Sequence, residues 1–152
     1  MPLDAITLQA LVAELRPQLV GLRIDKVQQP ARDQVILLLR GNRRLLLNAG
    51  ANAPRLQLTE LLRDNPAEPP MFCMLLRKHL VGARVADMTQ PPMERLVRIE
   101  LDITDEFGRP GRRTLVLEAM GRRSNLILLD GDGRIIECMR RVDADLSAAR
   151  QV

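Results

Sequence analysis

The stretch that decides the fold is Val97-Arg98-Ile99-Glu100-Leu101-Asp102-Ile103, in which apolar and charged side chains alternate strictly. Successive side chains of a β-strand point to opposite faces, so this pattern predicts a strand with one buried and one solvated face. Residues 106–111 include two glycines and a proline and predict a turn, after which 113–118 returns as a second strand. A half-buried strand followed by a short turn is typical of an antiparallel sheet.

Further short apolar runs on both sides of this stretch also predict strands. They cover residues 23–28, 35–40, 43–48, 55–59, 125–129 and 134–142. Gly41-Asn42 is a turn signal that joins two of them in a hairpin. Asp130-Gly131-Asp132-Gly133 is interpreted as another hairpin turn, because it lacks the spaced ligands and the terminal Glu of a calcium loop.

Two segments have helical periodicity instead. In residues 7–19, apolar side chains recur at i, i+3, i+4 and i+7, with Asp4 or Thr7 as the N-cap. A helical turn at 60–63 and a proline-bearing loop at 65–70 precede the second helix, Met71–Leu80, whose first turn carries a proline. We therefore predict an α+β fold, an antiparallel β-sandwich flanked by two helices, in a single domain spanning residues 1–152.

The composition indicates a globular chain with a basic surface. Of 152 residues, 46% are hydrophobic and 28% are charged, and the net charge is +4. The basic residues are almost all Arg, which is consistent either with the codon preference of a GC-rich genome or with a surface that binds phosphate through forked contacts. With no Trp, no Tyr and two Phe, the chain cannot offer the aromatic platforms on which single-stranded nucleic acids commonly stack.

Cysteine and histidine usage argues against a metal site. Cys73 and Cys138 are far apart in sequence and His79 is the only histidine, whereas a zinc site needs about four such ligands at suitable spacing. We expect no metal, no cofactor and two free thiols in a reducing cytoplasm. We also find no signal peptide pattern at the start of the chain and no apolar run long enough for a membrane span.

Two segments carry a resemblance to a known family. Residues 69–80 (PPMFCMLLRKHL) and 118–130 (EAMGRRSNLILLD) each join an apolar element to a tight basic and polar cluster. Together with Leu3-Asp4, 54–59 and Glu94-Arg95, they resemble the N-terminal (NFACT-N) domain of the family long called fibronectin-binding protein A. The resemblance implies a fold similar to the N-terminal domain of formamidopyrimidine-DNA glycosylases, and it implies that relatives continue into further domains beyond Val152.

The resemblance also implies a function in ribosome-associated quality control. Members of the family bind the large ribosomal subunit obstructed by a stalled peptidyl-tRNA, recruit tRNA, and support template-free addition of a C-terminal tail, mainly alanine in bacteria. The ribosome makes the peptide bonds, so the resemblance predicts a cytoplasmic RNA-binding domain and no catalytic residue in this chain.

The residues that the family needs for tailing correspond to Asp4 and to Glu94-Arg95. The family has Asp at the position of Glu94, so this chain keeps the charge on a side chain that is one methylene longer. Each of these residues also has a purely structural interpretation: Asp4 as a helix cap, and Glu94-Arg95 as a solvated pair at the start of a strand.

Further basic residues are candidates for contacts with RNA. Arg122 and Arg123 stand side by side in a segment, 120–125, that we otherwise interpret as a rigid turn, with Gly121 supplying an unusual φ and Asn125 bonding backbone groups. Arg77 and Lys78 lie in the last turn of the second helix, where they either complement the helix dipole or bind phosphate. We expect Asp4, Glu94, Arg95, Arg122 and Arg123 to lie on one face.

Two other functions are considered. A DNA glycosylase of the related fold uses an N-terminal proline followed by glutamate, and here Pro2 is followed by Leu3. A fibronectin-binding adhesin, as the historical family name suggests, needs export and anchoring signals that the sequence does not show. Binding of fibronectin by an Arg-rich chain is also explained by nonspecific charge attraction.

Overall fold

A computed structural model of the chain describes residues 4–50, 55–59, 70–120 and 123–140. Its helices and strands are α1 (Ala5–Leu19), β1 (Ile24–Ala31), β2 (Gln34–Leu39), β3 (Arg43–Asn48), β4 (Arg55–Leu58), α2 (Met71–Leu80), β5 (Arg84–Thr89), β6 (Leu96–Thr104), β7 (Pro110–Glu118), β8 (Asn125–Leu129) and β9 (Ile135–Cys138). The turn predicted at 60–63, most of the loop at 65–70, the end of the last predicted strand, and Pro2, Gly121 and Arg122 lie outside the described residues.

The strands form two antiparallel sheets, each with its strands in chain order. The first sheet is β1-β2-β3-β4 and the second is β5-β6-β7-β8-β9. The predicted α+β class, with two helices and antiparallel sheets, is confirmed. Backbone bonds link the sheets near the end of α2, where Ile24 donates to the Ala83 carbonyl and Gly82 donates to the Ile24 carbonyl, both at 2.8 Å.

One continuous hydrophobic core contains side chains from both sheets and both helices. The buried positions of α1 are Leu8, Val12, Leu15 and Leu19, which follow the helical period, so this helix lies with one face on the core. A second, smaller cluster of Leu96, Val116, Ile127 and Leu129 forms on the other face of the second sheet. Strand β8 and the second half of β7 are therefore buried on both sides, which explains why 126–129 is an uninterrupted apolar run.

The structure differs from the sequence prediction at several element boundaries, the start of α1 among them, and by one additional strand. Helix α1 begins at Ala5, two residues before the predicted start, because Asp4 and not Thr7 is the N-cap. Strand β5 was not predicted. Its register with β6 shifts between Val85 and Asp87, and this bulge breaks the alternation by which a strand is recognised.

Candidate nucleic-acid interface

Asp4 lies at the exposed start of α1, and its carboxylate Oδ1 accepts a hydrogen bond from the Thr7 backbone N–H at 2.7 Å. This bond satisfies one of the free amides of the first helical turn. The same backbone bond holds the pKa of Asp4 below its usual value, so the side chain is a carboxylate at neutral pH. The residue itself is exposed to solvent.

Gln90 connects this helix terminus to the loop between β5 and β6. Its side-chain nitrogen Nε2 donates to the Ala5 carbonyl at 2.9 Å and to the Glu94 carbonyl at 2.7 Å. Ala5 directly follows Asp4, and Glu94 directly precedes Arg95. One amide group therefore brings the two sequence motifs named for tailing to the same end of the second sheet.

The loop itself is a tight turn with a strained residue at its tip. Glu94 donates its backbone N–H to the Pro91 carbonyl at 3.1 Å, which closes the turn. Met93 has φ of 61°, a left-handed conformation that costs a non-glycine residue about 1–2 kcal/mol. Met93 is also 74% exposed, and Glu94 and Arg95 after it are exposed as well.

The connection between β7 and β8 lies beside this turn. The Ala119 backbone N–H donates to the Arg95 carbonyl at 2.9 Å. Arg123 donates its backbone N–H to the Met120 carbonyl at 3.0 Å, and the Met120 N–H donates to Ser124 Oγ at the same distance. The Arg123 side chain is exposed, while Ser124 is buried, so this connection presents a guanidinium on a fixed backbone.

Buried polar contacts hold the start of β8. The fully buried Asn125 accepts the N–H groups of Leu126 and Arg140 on Oδ1, both at 2.9 Å, and donates Nδ2 to the Arg140 carbonyl at 2.7 Å. The expectation that Asn125 bonds backbone groups is confirmed. The Arg140 guanidinium donates in turn to Ser124 O at 3.3 Å and forms an ion pair with Asp33 of the first sheet at 2.7 Å.

We call this region the site end. It comprises Asp4, Gln90, the connection 91–95, the described part of the connection 119–124, and Arg140. Two exposed carboxylates (Asp4 and Glu94) and two exposed guanidiniums (Arg95 and Arg123) lie here, which is a set of groups suited to phosphate oxygens, sugar hydroxyls and base edges. Arg122 lies outside the described residues.

The other two predicted site residues are elsewhere. Arg77 Nε donates to the Val27 carbonyl at 3.0 Å, so this guanidinium is used partly in joining α2 to β1. Lys78 is exposed and lines a pocket of about 660 Å³ together with His79, Arg113 and residues 103–106. That pocket is at the opposite end of β6 from Arg95, so the structure does not bring Lys78 to the site end.

The pocket also contains the only histidine. Arg113 Nε donates to His79 Nδ1 at 3.4 Å. Burial, followed by the charges of Arg113 and Lys78, lowers the pKa of His79 from its ordinary value, so the imidazole is neutral at physiological pH.

Possible metal ligands are dispersed over the described ranges. Within them, no group of three or more His, Cys, Asp or Glu side chains could hold a metal ion. Cys73 and Cys138 are reduced thiols that form no disulfide, as expected, and burial raises the pKa of the Cys73 thiol. Among the same residues, no helix is long and apolar enough to cross a membrane.

Comparison with known families identifies the domain. A family model described as the NFACT N-terminal and middle domains matches residues 4–152. The chain belongs to the NFACT family. The resemblance inferred from segments 69–80 and 118–130 is thereby confirmed.

Named relatives of the chain are ribosome quality control factors. The Rqc2 homolog RqcH of Streptococcus pneumoniae serotype 2 is 38% identical over 146 residues, which are 93% of this chain and 26% of that protein. Ribosome quality control complex subunit 2 of Saccharomyces cerevisiae is 30% identical over 145 residues, which are 92% of this chain and 13% of that protein. The chain thus spans about a quarter or less of the length of these relatives.

A solved structure shares the fold. The crystal structure of the N-terminal domain of the fibronectin-binding protein PavA from Streptococcus pneumoniae matches with a TM-score of 0.89 and 37% sequence identity. The match covers 95% of this chain and 57% of that one. The two sheets and two helices described above are therefore shared with that solved structure.

Three residues of the site end were missed from the sequence: Gln90, Met93 and Arg140. Gln90 and Arg140 act on partners that are 85 and 107 residues away, and no local pattern reveals such pairs. A tight turn at Met93 could have been predicted, because this residue follows two prolines and precedes a polar pair.

Proposed function

We propose that this chain, residues 1–152, is the NFACT-N domain of a ribosome quality control factor and that its site end contacts RNA. In this proposal the whole factor binds large ribosomal subunits that carry a stalled peptidyl-tRNA, recruits tRNA, and supports template-free alanine tailing of the nascent chain. It acts in the cytoplasm and needs no cofactor. The domain positions RNA, and peptide bond formation belongs to the ribosome.

The observation that carries the proposal is the meeting of Asp4, Glu94, Arg95 and Arg123 at one end of the second sheet. These residues come from three separate segments, and hydrogen bonds through Gln90 and the Arg95 carbonyl hold the segments together. Because the backbones that carry them are already fixed, binding costs only side-chain freedom, which favours a recognition site.

Each type of group has its own role in this proposal. Arg95, Arg123 and also Arg122 bind phosphate oxygens in forked contacts. The carboxylates of Asp4 and Glu94 either orient those guanidiniums or accept hydrogen bonds from ribose hydroxyls and base amines. Arg77 and Lys78 form a separate basic surface on α2 that supplies a second, weaker contact with RNA.

The test is Arg95→Ala in the intact protein, assayed for co-sedimentation with large subunits and for tail formation. We expect tailing to fall at least tenfold, and subunit binding to fall less, because Arg95 is one of several phosphate contacts. Arg109→Ala is the matched control, since Arg109 is also an exposed arginine beside a turn but lies at the other end of the sheet. Normal tailing by the Arg95 variant refutes the proposal.

Fibronectin binding is a second candidate, favoured by the name of the structurally similar pneumococcal protein. An excess of arginine over acidic residues, with a net charge of +4, supports attraction to acidic regions of an extracellular protein. Binding to immobilised fibronectin at rising salt tests it. Binding that persists at about 0.5 M salt indicates a specific site, whereas its loss indicates charge attraction alone.

A further inference from the structure

Gln90 is placed between the two motifs of the site end and uses both of its amide hydrogens there. A side-chain amide carries two donors, and the distances of 2.9 Å to Ala5 O and 2.7 Å to Glu94 O account for both. The Ala5 carbonyl belongs to the first turn of α1, so this bond ties the Gln90 side chain to the helix. The bonds thus fix the first turn of α1 against the peptide that joins Glu94 to Arg95.

The rest of the loop gives these bonds a specific consequence. The turn 91–94 contains the strained Met93, and strained backbone persists only where its surroundings hold it. The Glu94 carbonyl held by Gln90 is directly followed by the Arg95 residue whose carbonyl accepts from Ala119. Without the Gln90 bonds, only the Glu94–Pro91 and Ala119–Arg95 backbone bonds hold the turn, and we expect it to relax and to move Glu94 and Arg95 relative to Asp4.

We propose that Gln90 is a positioning residue for RNA binding: it sets the spacing between Asp4 and the Glu94-Arg95 pair and acts through them. The inference rests on the proposed function of the site end and goes beyond it by assigning a residue that makes no RNA contact of its own. Gln90 follows the last residue of β5, so its backbone is anchored by the sheet while its side chain reaches α1.

The experiment is a double-mutant cycle in the intact protein, with unfractionated tRNA as the probe. The proteins are wild type, Gln90→Ala, Arg95→Ala and the double variant. We expect Gln90→Ala to weaken binding about tenfold. We expect the two losses not to multiply in the double variant, because most of the effect of Gln90→Ala acts through the Arg95 guanidinium that Arg95→Ala removes.

The salt dependence of binding distinguishes positioning from simple destabilisation. If Gln90→Ala displaces Arg95 from its phosphate, the slope of log K against log salt falls by about 0.7, as it does for Arg95→Ala itself. A variant that is only less stable has fewer folded molecules, but each of them makes the same phosphate contacts, so the slope of log K against log salt stays the same. Gln18→Ala is the matched control, since Gln18 also bonds a backbone carbonyl, Glu14 O at 3.2 Å, on the same helix but far from Gln90. It should change affinity less than twofold.

A second variant keeps the inference open to refutation if Gln90→Ala folds poorly. Gln90→Glu has the same shape but accepts only, so it faces two carbonyls without a donor and should weaken binding at least as much. Losses that multiply in the double variant, or normal binding by Gln90→Glu, overturn the inference. Unchanged binding by Arg95→Ala instead overturns the proposed RNA site, and the two failures are therefore distinguishable.

Discussion

The two ends of the second sheet solve the same problem, reversing the chain between antiparallel strands, in different ways. The hairpin end comprises the connections 105–109 and 130–134. In each, the side chain of the first residue accepts backbone N–H groups of its own turn. Asp105 Oδ1 accepts the N–H groups of Phe107 and Arg109 at 2.9 and 2.8 Å. Asp130 Oδ1 accepts those of Asp132 and Arg134, both at 2.9 Å.

At the site end, bonds within each connection are joined by bonds to groups from elsewhere in the chain. The connection 91–95 depends on the Gln90 bond to α1 and on Ala119, and the start of β8 depends on Arg140. Arg140 in turn is paired with Asp33 of the other sheet. A turn closed by its own side chain needs only its two strands. The site end also needs α1 and both sheets, because they supply part of the bonds that hold its connections.

The two ends should therefore differ in their tolerance to substitution. The hairpin end should tolerate substitution, because each lost bond is local and exposed to water. At the site end, one substitution removes several contacts between distant segments and moves exposed groups that are proposed to bind RNA.

The largest effect should follow Asn125→Ala. The substitution leaves two backbone N–H groups and one carbonyl without partners in a fully buried position, which should cost about 3 kcal/mol in the free energy of unfolding. Urea denaturation measures the loss. The counterpart at the hairpin end, Asp105→Ala, should cost at most about 1 kcal/mol, and equal losses at the two ends would contradict the comparison.

Two substitutions of Asp4 separate its role as a helix cap from a direct contact with RNA. Asp4→Ala removes the cap and should lower the thermal midpoint by a few degrees, whereas Asp4→Asn keeps a good cap and should leave it nearly unchanged. Because the pKa of Asp4 is lowered in the folded protein, its capping stability is present above pH about 3.9 and is lost as the pH falls below it. A melting curve for each variant at pH 7 and pH 3 checks both statements. If Asp4→Asn still weakens tRNA binding, the carboxylate itself contacts RNA.

Met93→Gly tests whether the strain at the site end has a role. Glycine adopts a positive φ without steric cost, although it loses more backbone entropy on folding, so we expect the free energy of unfolding to rise by about 0.5 kcal/mol. Urea denaturation gives this value. If tRNA affinity nevertheless falls, the exposed Met93 side chain belongs to the binding surface; a stability loss above about 1 kcal/mol would show that the left-handed residue is not strained.

The smallest effect concerns His79 in the pocket at the hairpin end. Its folded pKa is lowered by burial and by Arg113 and Lys78, while Asp105 and Glu106 on the facing wall do not reverse the shift. The unfolded chain therefore binds the proton more readily, and stability present above pH about 6.5 declines as the pH falls below that value. His79→Gln should flatten thermal midpoints measured between pH 7.5 and pH 5.5. A steeper decline in the variant would show that the sign is wrong.

The same contrast explains what the sequence could reveal. The alternation in 97–103, the helix Met71–Leu80 and the Asp130 turn were predicted because each depends on neighbours in the chain. Strand β5 was missed because a bulge at Val85 and Asp87 interrupts its pattern. Asp4 and Arg95 were named from the family resemblance, and Arg123 from its place beside Arg122. Gln90 and Arg140, which hold these segments together, were missed because the fold brings their partners close.

The most direct test of a defined RNA interface at the site end replaces single arginines at the two ends of the sheet. For each variant, tRNA binding is measured as a function of salt. Arg95→Ala and Arg123→Ala should each lower the slope of log K against log salt by about 0.7, because each removes one phosphate contact. Arg109→Ala and Arg134→Ala, which remove the same charge from the hairpin end, should leave the slope unchanged. Equal changes in all four variants would mean that RNA responds only to net charge, and would contradict a defined interface at the site end.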